Sequence, residues 1–192
     1  MKQAYNILIV GVGGQGVLLA SELISEAALK SGYDVKKSEV HGMAQRGGVV
    51  SSHVRIGTKI YSPLIHLGQA DVLLAFEQAE ALRWVHFLKE GGTLIVNDLK
   101  WIPPIAFVKG FSYPENPFEI LRKRAAVLMS VNANAVAETL GNSRVANMVL
   151  VGAVSKSLAI PYAVWETVVR ERVPKGTEAM NLQAFRAGME SR

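Results

Sequence analysis

The chain has 192 residues, 49% of them hydrophobic and 19% charged, enough apolar material for one globular domain with a real core. Its net charge of +5 is spread thinly, with Lys36-Lys37 and Arg122-Lys123-Arg124 the only dense spots. That pattern argues against nucleic acid and for an anionic small molecule or an acidic partner protein. The absence of cysteine excludes disulfides, thiolate nucleophiles and thiolate-held iron–sulfur clusters within this chain.

The start, MKQAYNILIVGVGG, reads as a first strand rather than a signal peptide, and no apolar stretch is long enough to span a membrane. A cytoplasmic location is expected. YNILIV, 5–10, is a short continuous apolar run, as in a strand buried on both faces. GVGGQG, 11–16, then leads into a helix. There Val17, Ala20, Leu23, Ile24, Ala27 and Ala28 share one stripe, and Glu22, Glu26 and Lys30 the opposite one. YDVKKSEV, 33–40, reads as a second strand. VHGMAQRGGVV, 40–50, is polar and glycine-rich where a doubly wound fold would place a helix. The pattern predicts a hairpin over 49–63, turning at Gly57-Thr58, with His53 and Arg55 on a solvent or interface face. ADVLLAFE, a helix over QAEALRWVHFLKEGG with Ala79, Leu82, Val85, His86 and Leu88 inward, and TLIVND make a parallel βαβ unit. The Pro- and aromatic-rich stretch 101–117 predicts an irregular connection with one short strand. NPFEILRKR predicts a short helix, 132–159 helix broken at Gly141-Asn142, and 161–174 and 178–190 further helices. The expected architecture is α/β: a Rossmann-like, mostly parallel sheet with helices on both faces and an inserted β-hairpin, residues 1–192 forming a single domain.

Gly11, Gly13 and Gly16 fit G-x-G-x-x-G, with Gly14 and Gln15 between them, and the context is strand before and helix after. Glycines let a phosphate approach backbone N–H groups at a helix N-terminus; equally, they allow a tight turn and close helix–strand packing. A dinucleotide site asks for an acid near the end of the second strand. Glu39 is the candidate, a little late, whereas Lys36 and Lys37 would suit a 2′-phosphate. Neither fits cleanly, because the hairpin takes the place of the usual crossover helix. His41, Gln45, Arg46, Gly47 and Gly48 sit on the loop after the second strand, which leaves the same sheet edge as the glycine loop. Arg46 beside glycine N–H groups suits a carboxylate or phosphate. The alternative is that Arg46 pairs with Glu39 or a neighbouring subunit and His41 caps a turn. His66 and His86 have no ligand-spaced neighbours, and no metal site is expected. Trp84, Trp101 and Trp165 read as core or interface anchors. Asn132, Asn134, Asn142 and Asn147 read as helix caps and interhelix bonds.

Taken together, ILIVGVGGQGVLLASELISEAALKSG, SEVHGMAQRGGVVSSHVRIG and GNSRVANMVLVGA resemble the gamma-type subunit or domain of 2-oxoacid:ferredoxin oxidoreductases. The form E-V-H-G-M-x-Q-R-G-G is most similar to the small beta subunit of the indolepyruvate type, and the likeness runs over most of the chain. It implies an accessory subunit, inactive alone, of an enzyme that oxidatively decarboxylates an aryl 2-oxoacid such as indolepyruvate. The products would be an acyl-CoA and carbon dioxide, with ferredoxin reduced. Pyruvate and 2-oxoglutarate enzymes of the same type are the alternative substrates, and a free-standing NAD(P)-dependent oxidoreductase is the alternative class. Thiamine diphosphate and the iron–sulfur clusters would belong to a large partner subunit; no G-D-G…N thiamine motif is present here. Neither nucleic acid nor membrane is an expected partner. By resemblance, coenzyme A would be contacted at Gly11, Gly13, Gly14, Gln15 and Gly16, with Glu39, His41, Gln45, Arg46, Gly47 and Gly48.

Overall fold

The computed structural model describes residues 5–41, 47–101, 113, 115–125 and 127–191. Six strands make one sheet: β1 (Tyr5–Val12), β2 (Asp34–His41), β3 (Val49–Gly57), β4 (Ala70–Ala75), β5 (Leu88–Asn97) and β6 (Val127–Val131). Their order is β2-β3-β1-β4-β5-β6, which places β1 inside the sheet. Every residue of β1 from Ile7 onward is buried. Consecutive apolar positions are stable in a strand only when both faces are covered. β1, β4, β5 and β6 run parallel. β3 is antiparallel to both its neighbours, so β2 points the same way as β1.

Two apolar layers cover the sheet. Ile7, Ile9, Leu74 and Ile95 face α1 (Val17–Lys30), α4 (Ala133–Thr139), α5 (Ala146–Ser155), α6 (Tyr162–Arg172) and α7 (Glu178–Glu190). Leu8, Val10, Leu73 and Val96 face α2 (Gln78–Trp84) and α3 (Pro117–Arg122). All six stripe residues of α1 are buried. α5 is buried at every position from Asn147 to Ser155 because α7 covers its outer side. A Cβ at Gly152 would lie 2.0 Å from the Phe185 carbonyl oxygen, and one at Gly188 would lie 1.9 Å from that of Val149. The two helices therefore touch backbone to backbone.

The fold is the α/β arrangement the sequence indicates, with three differences of detail. The antiparallel hairpin is made of β2 and β3; β3 runs straight through 49–57 without folding back after Gly57-Thr58. Residues 60–67 instead lie over β3, so His53 is buried, not on a solvent face. Its Nδ1 accepts the Ile65 N–H at 3.2 Å, and Phe87 meets it edge-on. Arg55 is half-buried, its guanidinium donating to Asn6 Oδ1 at 2.9 Å and to the Ser62 carbonyl at 3.0 Å. The helix after β4 stops at Trp84, passes through a 3-10 turn at Val85–Phe87, and β5 begins at Leu88, not after the glycines. Of the expected stripe, Val85 and Leu88 are buried, Ala79 and Leu82 are only partly covered and His86 is exposed, while on α2 itself the buried apolar residue is Ala81. The third difference is β6, an edge strand that the apolar pattern did not reveal. Among the described residues, no helix is long and apolar enough to cross a membrane.

Candidate functional site

The two glycine-rich stretches leave one sheet edge and meet there. Val12 pairs with Val49 and His41 with Val50, so β1 and β2 end side by side across β3. The Gly13 N–H donates to the Gly48 carbonyl at 2.8 Å, and the Gly47 N–H donates to the Gly13 carbonyl at 3.4 Å. Gln45 and Arg46, expected in the same place, lie outside the described residues, as does the His41 side chain. Glu39 leans toward α1: its carboxylate accepts the Ser21 hydroxyl at 2.9 Å and pairs with Lys37 at 2.8 Å. Lys36 pairs with Asp34 at 2.9 Å.

The glycine loop is shaped from below. A Cβ at Gly11 would come within 2.8 Å of Gln15 Oε1, Phe76 Cβ and Val17 Cγ2, so only glycine fits there. Gln15 folds back so that its Oε1 accepts the Val12 N–H at 2.8 Å. Its Nε2 is buried with no partner among the described residues. Gly16 caps α1 with φ +88°, the left-handed region that disfavours residues with a Cβ. A Cβ there would also sit 2.7 Å from Asn147 Nδ2, on the first turn of α5.

α1 packs on one face of the sheet and α2 on the other, so the chain switches faces between β1 and β4. In open α/β sheets that switch point is where a crevice forms outside the strand ends. Here it opens into a cleft of about 410 Å³, lined by Gly14, Gln15, Gly16, Asn97, Trp101, Asn134, Arg144 and neighbouring residues. Asn97, at the end of β5, is its structural hub. Asn97 Oδ1 accepts the Ala133 N–H at 3.1 Å, while Nδ2 donates to the Phe76 carbonyl at 3.2 Å and to Asn134 Oδ1 at 2.9 Å. Using up the Asn134 oxygen in this way leaves that amide's N–H groups for the cleft. Asn142 accepts the Arg144 N–H at 3.0 Å and fixes the turn that carries the guanidinium. No carboxylate lies among the described lining residues. A cleft with amide, hydroxyl and guanidinium donors beside apolar walls suits a ligand that is anionic at one end and apolar at the other. Among the described residues, no group of three or more His, Asp or Glu could hold a metal ion.

One wall depends on a buried carboxylate. Glu77, 1% exposed, follows β4. Its Oε2 caps α2 by accepting the Ala79 and Glu80 N–H groups at 2.7 and 3.0 Å. Its Oε1 accepts the Trp101 N–H at 3.1 Å and the Tyr113 hydroxyl. Burial, and then the hydroxyl's bond to Glu77, push the Tyr113 phenol far above its usual range. The Gln78 N–H donates to the Leu99 carbonyl at 3.1 Å. Past the end of β5, alternate residues Asn97, Leu99 and Trp101 line the cleft, whereas Asp98 and Lys100 line a separate depression with Gln78.

Of the residues expected from sequence, Gly14, Gln15 and Gly16 line the cleft, Gly11 supports it, and Gly13, Gly47 and Gly48 pair beside it. Glu39 does not reach it. Sequence reasoning missed Asn97 and Arg144 and the cleft roles of Asn134 and Trp101. Asn97 could have been found by its place at the carboxyl end of a strand, and Arg144 by the polar interruption GNSR between two apolar helices.

These features define an α/β protein with a donor-lined cleft at the switch point of its sheet. The chain belongs to the pyruvate ferredoxin/flavodoxin oxidoreductase family, whose model matches residues 6–191. It is 40% identical to the indolepyruvate oxidoreductase subunit IorB of Thermococcus kodakarensis, over all of this chain and 96% of that protein. It is 42% identical to the IorB subunit of Archaeoglobus fulgidus, over 95% of this chain and 92% of that one. Among solved structures it resembles the gamma subunit of a keto/oxoacid ferredoxin oxidoreductase from Geobacter sulfurreducens, with a TM-score of 0.71 and 30% identity; the match covers 97% of this chain and 96% of that chain.

Proposed function

We propose that this chain, acting as one domain, is the accessory subunit of an indolepyruvate-type 2-oxoacid:ferredoxin oxidoreductase. The complex converts an aryl pyruvate and coenzyme A to the acyl-CoA and carbon dioxide, and the released electrons reduce ferredoxin. The observation that carries this reading is identity of 40% and 42% to two indolepyruvate oxidoreductase subunits over nearly the full length of both partners. Iron–sulfur clusters of the usual kind do not fit this chain, which has no cysteine to ligate them. With no thiamine motif either, the clusters and thiamine diphosphate fall to a large partner subunit, and the small chain is inactive alone.

The chain's own contribution is binding. Arg144 and the Asn134 amide offer donors to an anionic group of coenzyme A, and Gly14–Gly16 let that group approach the α1 N-terminus. On this reading His41, Gln45, Arg46, Gly47 and Gly48, which lie next to the glycine loop's partner strand in sequence, complete the coenzyme's surroundings. No proton transfer or bond change is assigned to these residues; they hold the coenzyme while chemistry proceeds on the partner.

Reconstitution tests the reading. The small chain should co-purify with a large thiamine-binding subunit, and the complex should show its highest kcat/KM with indolepyruvate, ahead of pyruvate and 2-oxoglutarate. A lone oligomer that turns over by itself, or a preference for pyruvate or 2-oxoglutarate, overturns it. The glycine loop between strand and helix favours one other reading, an NAD(P)-dependent oxidoreductase. Titration separates the two: tight NAD or NADP binding without a response to coenzyme A favours the dinucleotide enzyme.

A further inference from the structure

We infer that Glu77 is a positioning residue that holds the Trp101 indole as the stacking wall for the adenine ring of a nucleotide-bearing coenzyme in the cleft. The inference rests on the reading of that cleft as the coenzyme site.

Trp101 is out of place as a core residue. It is 49% exposed and lines the cleft, while Trp165 is fully buried. A large, flat, half-wet aromatic surface is costly to hold in one orientation unless something fixes its backbone. The fixing group is unusual. Past the end of β5, the Gln78 N–H still donates to the Leu99 carbonyl, as in a continuing strand pair. The next bond outward, from the Trp101 N–H, ends not on a backbone carbonyl but on Glu77 Oε1. A side chain thus extends the β4–β5 ladder by one rung and sets where residue 101 stands.

Glu77 is well built for that task. Among the described residues, all four hydrogen bonds to its side chain come from neutral donors: the Ala79, Glu80 and Trp101 N–H groups and the Tyr113 hydroxyl. No Lys or Arg forms an ion pair with it among the described residues. A carboxylate serving only as a helix cap needs the first two bonds. The other two lock residues 101 and 113 to the same oxygen. Asparagine or glutamine could not accept all four, because one end of an amide is a donor.

The chemistry around Trp101 selects the ligand class. The same cleft holds Arg144, the Asn134 amide and the Gly14–Gly16 turn, and no carboxylate among its described lining residues. An exposed indole beside such anion donors is the combination that a purine nucleotide uses, its ring on the aromatic face and its phosphates on the donors.

The test uses the reconstituted complex and compares coenzyme A with pantetheine, a thiol acceptor that lacks the adenine nucleotide. Trp101→Ala should raise the KM for coenzyme A by about tenfold, the scale of one base–aromatic stack, and leave kcat and the KM for pantetheine unchanged. Trp101→Phe should restore most of the loss. Glu77→Gln should reproduce the Trp101→Ala pattern without touching the ligand, and should reduce the quenching of Trp fluorescence by coenzyme A. Tyr113→Phe removes one bond to Glu77 and should give a weaker form of the same selective effect, which keeps the inference testable should Glu77→Gln fail to fold. Equal changes for both thiols, or none for coenzyme A, in Trp101→Ala overturn the inference. If Arg144→Ala raises the KM for coenzyme A while the Trp101 and Glu77 variants do not, the stacking role fails and the cleft reading survives. If Arg144→Ala also has no effect, both fail.

Discussion

Gly13 and Gly48 are joined through their backbones: the N–H of Gly13 donates to the carbonyl of Gly48 at 2.8 Å, with Gly47 returning a longer bond to Gly13. The turn after β1 and the Gly47-Gly48 pair before β3 are therefore joined at the sheet edge, although Gly13 and Gly48 lie 35 positions apart in sequence.

Arg46 directly precedes Gly47-Gly48 in sequence. Arg46→Ala in the reconstituted complex is expected to raise the KM for coenzyme A by about tenfold, the scale of one lost charge-assisted hydrogen bond, with the subunits still associated. Steady-state kinetics and size-exclusion chromatography report the two readouts. Dissociation of the complex with an unchanged KM would instead assign Arg46 to the partner.

Gly16 and Gly14 form a matched pair of backbone tests. Both have positive φ, +88° and +102°, but only Gly16 has a neighbour where a Cβ would go. Gly14→Ala should cost about 1 kcal/mol, the conformational penalty alone. Gly16→Ala adds the clash with Asn147 and should cost about 3 kcal/mol in total. Denaturant unfolding of the two variants gives the difference, and equal losses would mean that Asn147 moves aside freely.

The crossing of α5 and α7 tolerates still less. Gly152→Ala and Gly188→Ala each drive a methyl into a carbonyl oxygen of the facing helix, so each should lower stability by about 3 kcal/mol or more. Thermal unfolding, or soluble yield if the loss is complete, is the measurement. Gly141→Ala is the control: it has positive φ but open space, so it should show only the smaller conformational cost.

His53 makes stability depend on pH. Burial lowers its pKa below the ordinary histidine value, so the folded protein resists protonation while the unfolded chain takes up a proton. The contribution is fully present above the unfolded pKa. It is lost progressively as pH falls from there toward the lowered folded value. The melting temperature should therefore decline from neutral pH downward before the carboxylates titrate, and His53→Asn should flatten that first part of the curve. An unchanged slope in the variant would assign the decline to other groups.

Much of the frame was legible because burial on both faces writes a simple pattern. The run from Ile7 to Val10, the glycines after it and the stripe on α1 all follow from local spacing. β6 was hidden because only Val131 of its five residues is buried, so an edge strand leaves little apolar signal. The position of the hairpin turn was misjudged because Gly57-Thr58 looks like a turn, whereas pairing with β2 keeps the chain extended up to Gly57. His53 looked exposed because strand alternation cannot show that 60–67 folds over it. The cleft was half visible. Its glycine side is contiguous in sequence, but Asn97, Trp101, Asn134 and Arg144 come from separate elements that only the sheet order brings together.

The outer strand β2 has a bearing on assembly. A bare strand edge invites another chain to add on, which for a small domain means uncontrolled polymerisation. Along β2 the charges Asp34, Lys36, Lys37 and Glu39 fold into two short ion pairs, Lys36 with Asp34 and Lys37 with Glu39. An incoming strand would have to strip these charges of water before gaining its first backbone bond. This margin of the sheet thus acts as a self-quenched border, and neighbours on the β2 side are recruited by surface shape and side-chain chemistry rather than by extending the sheet.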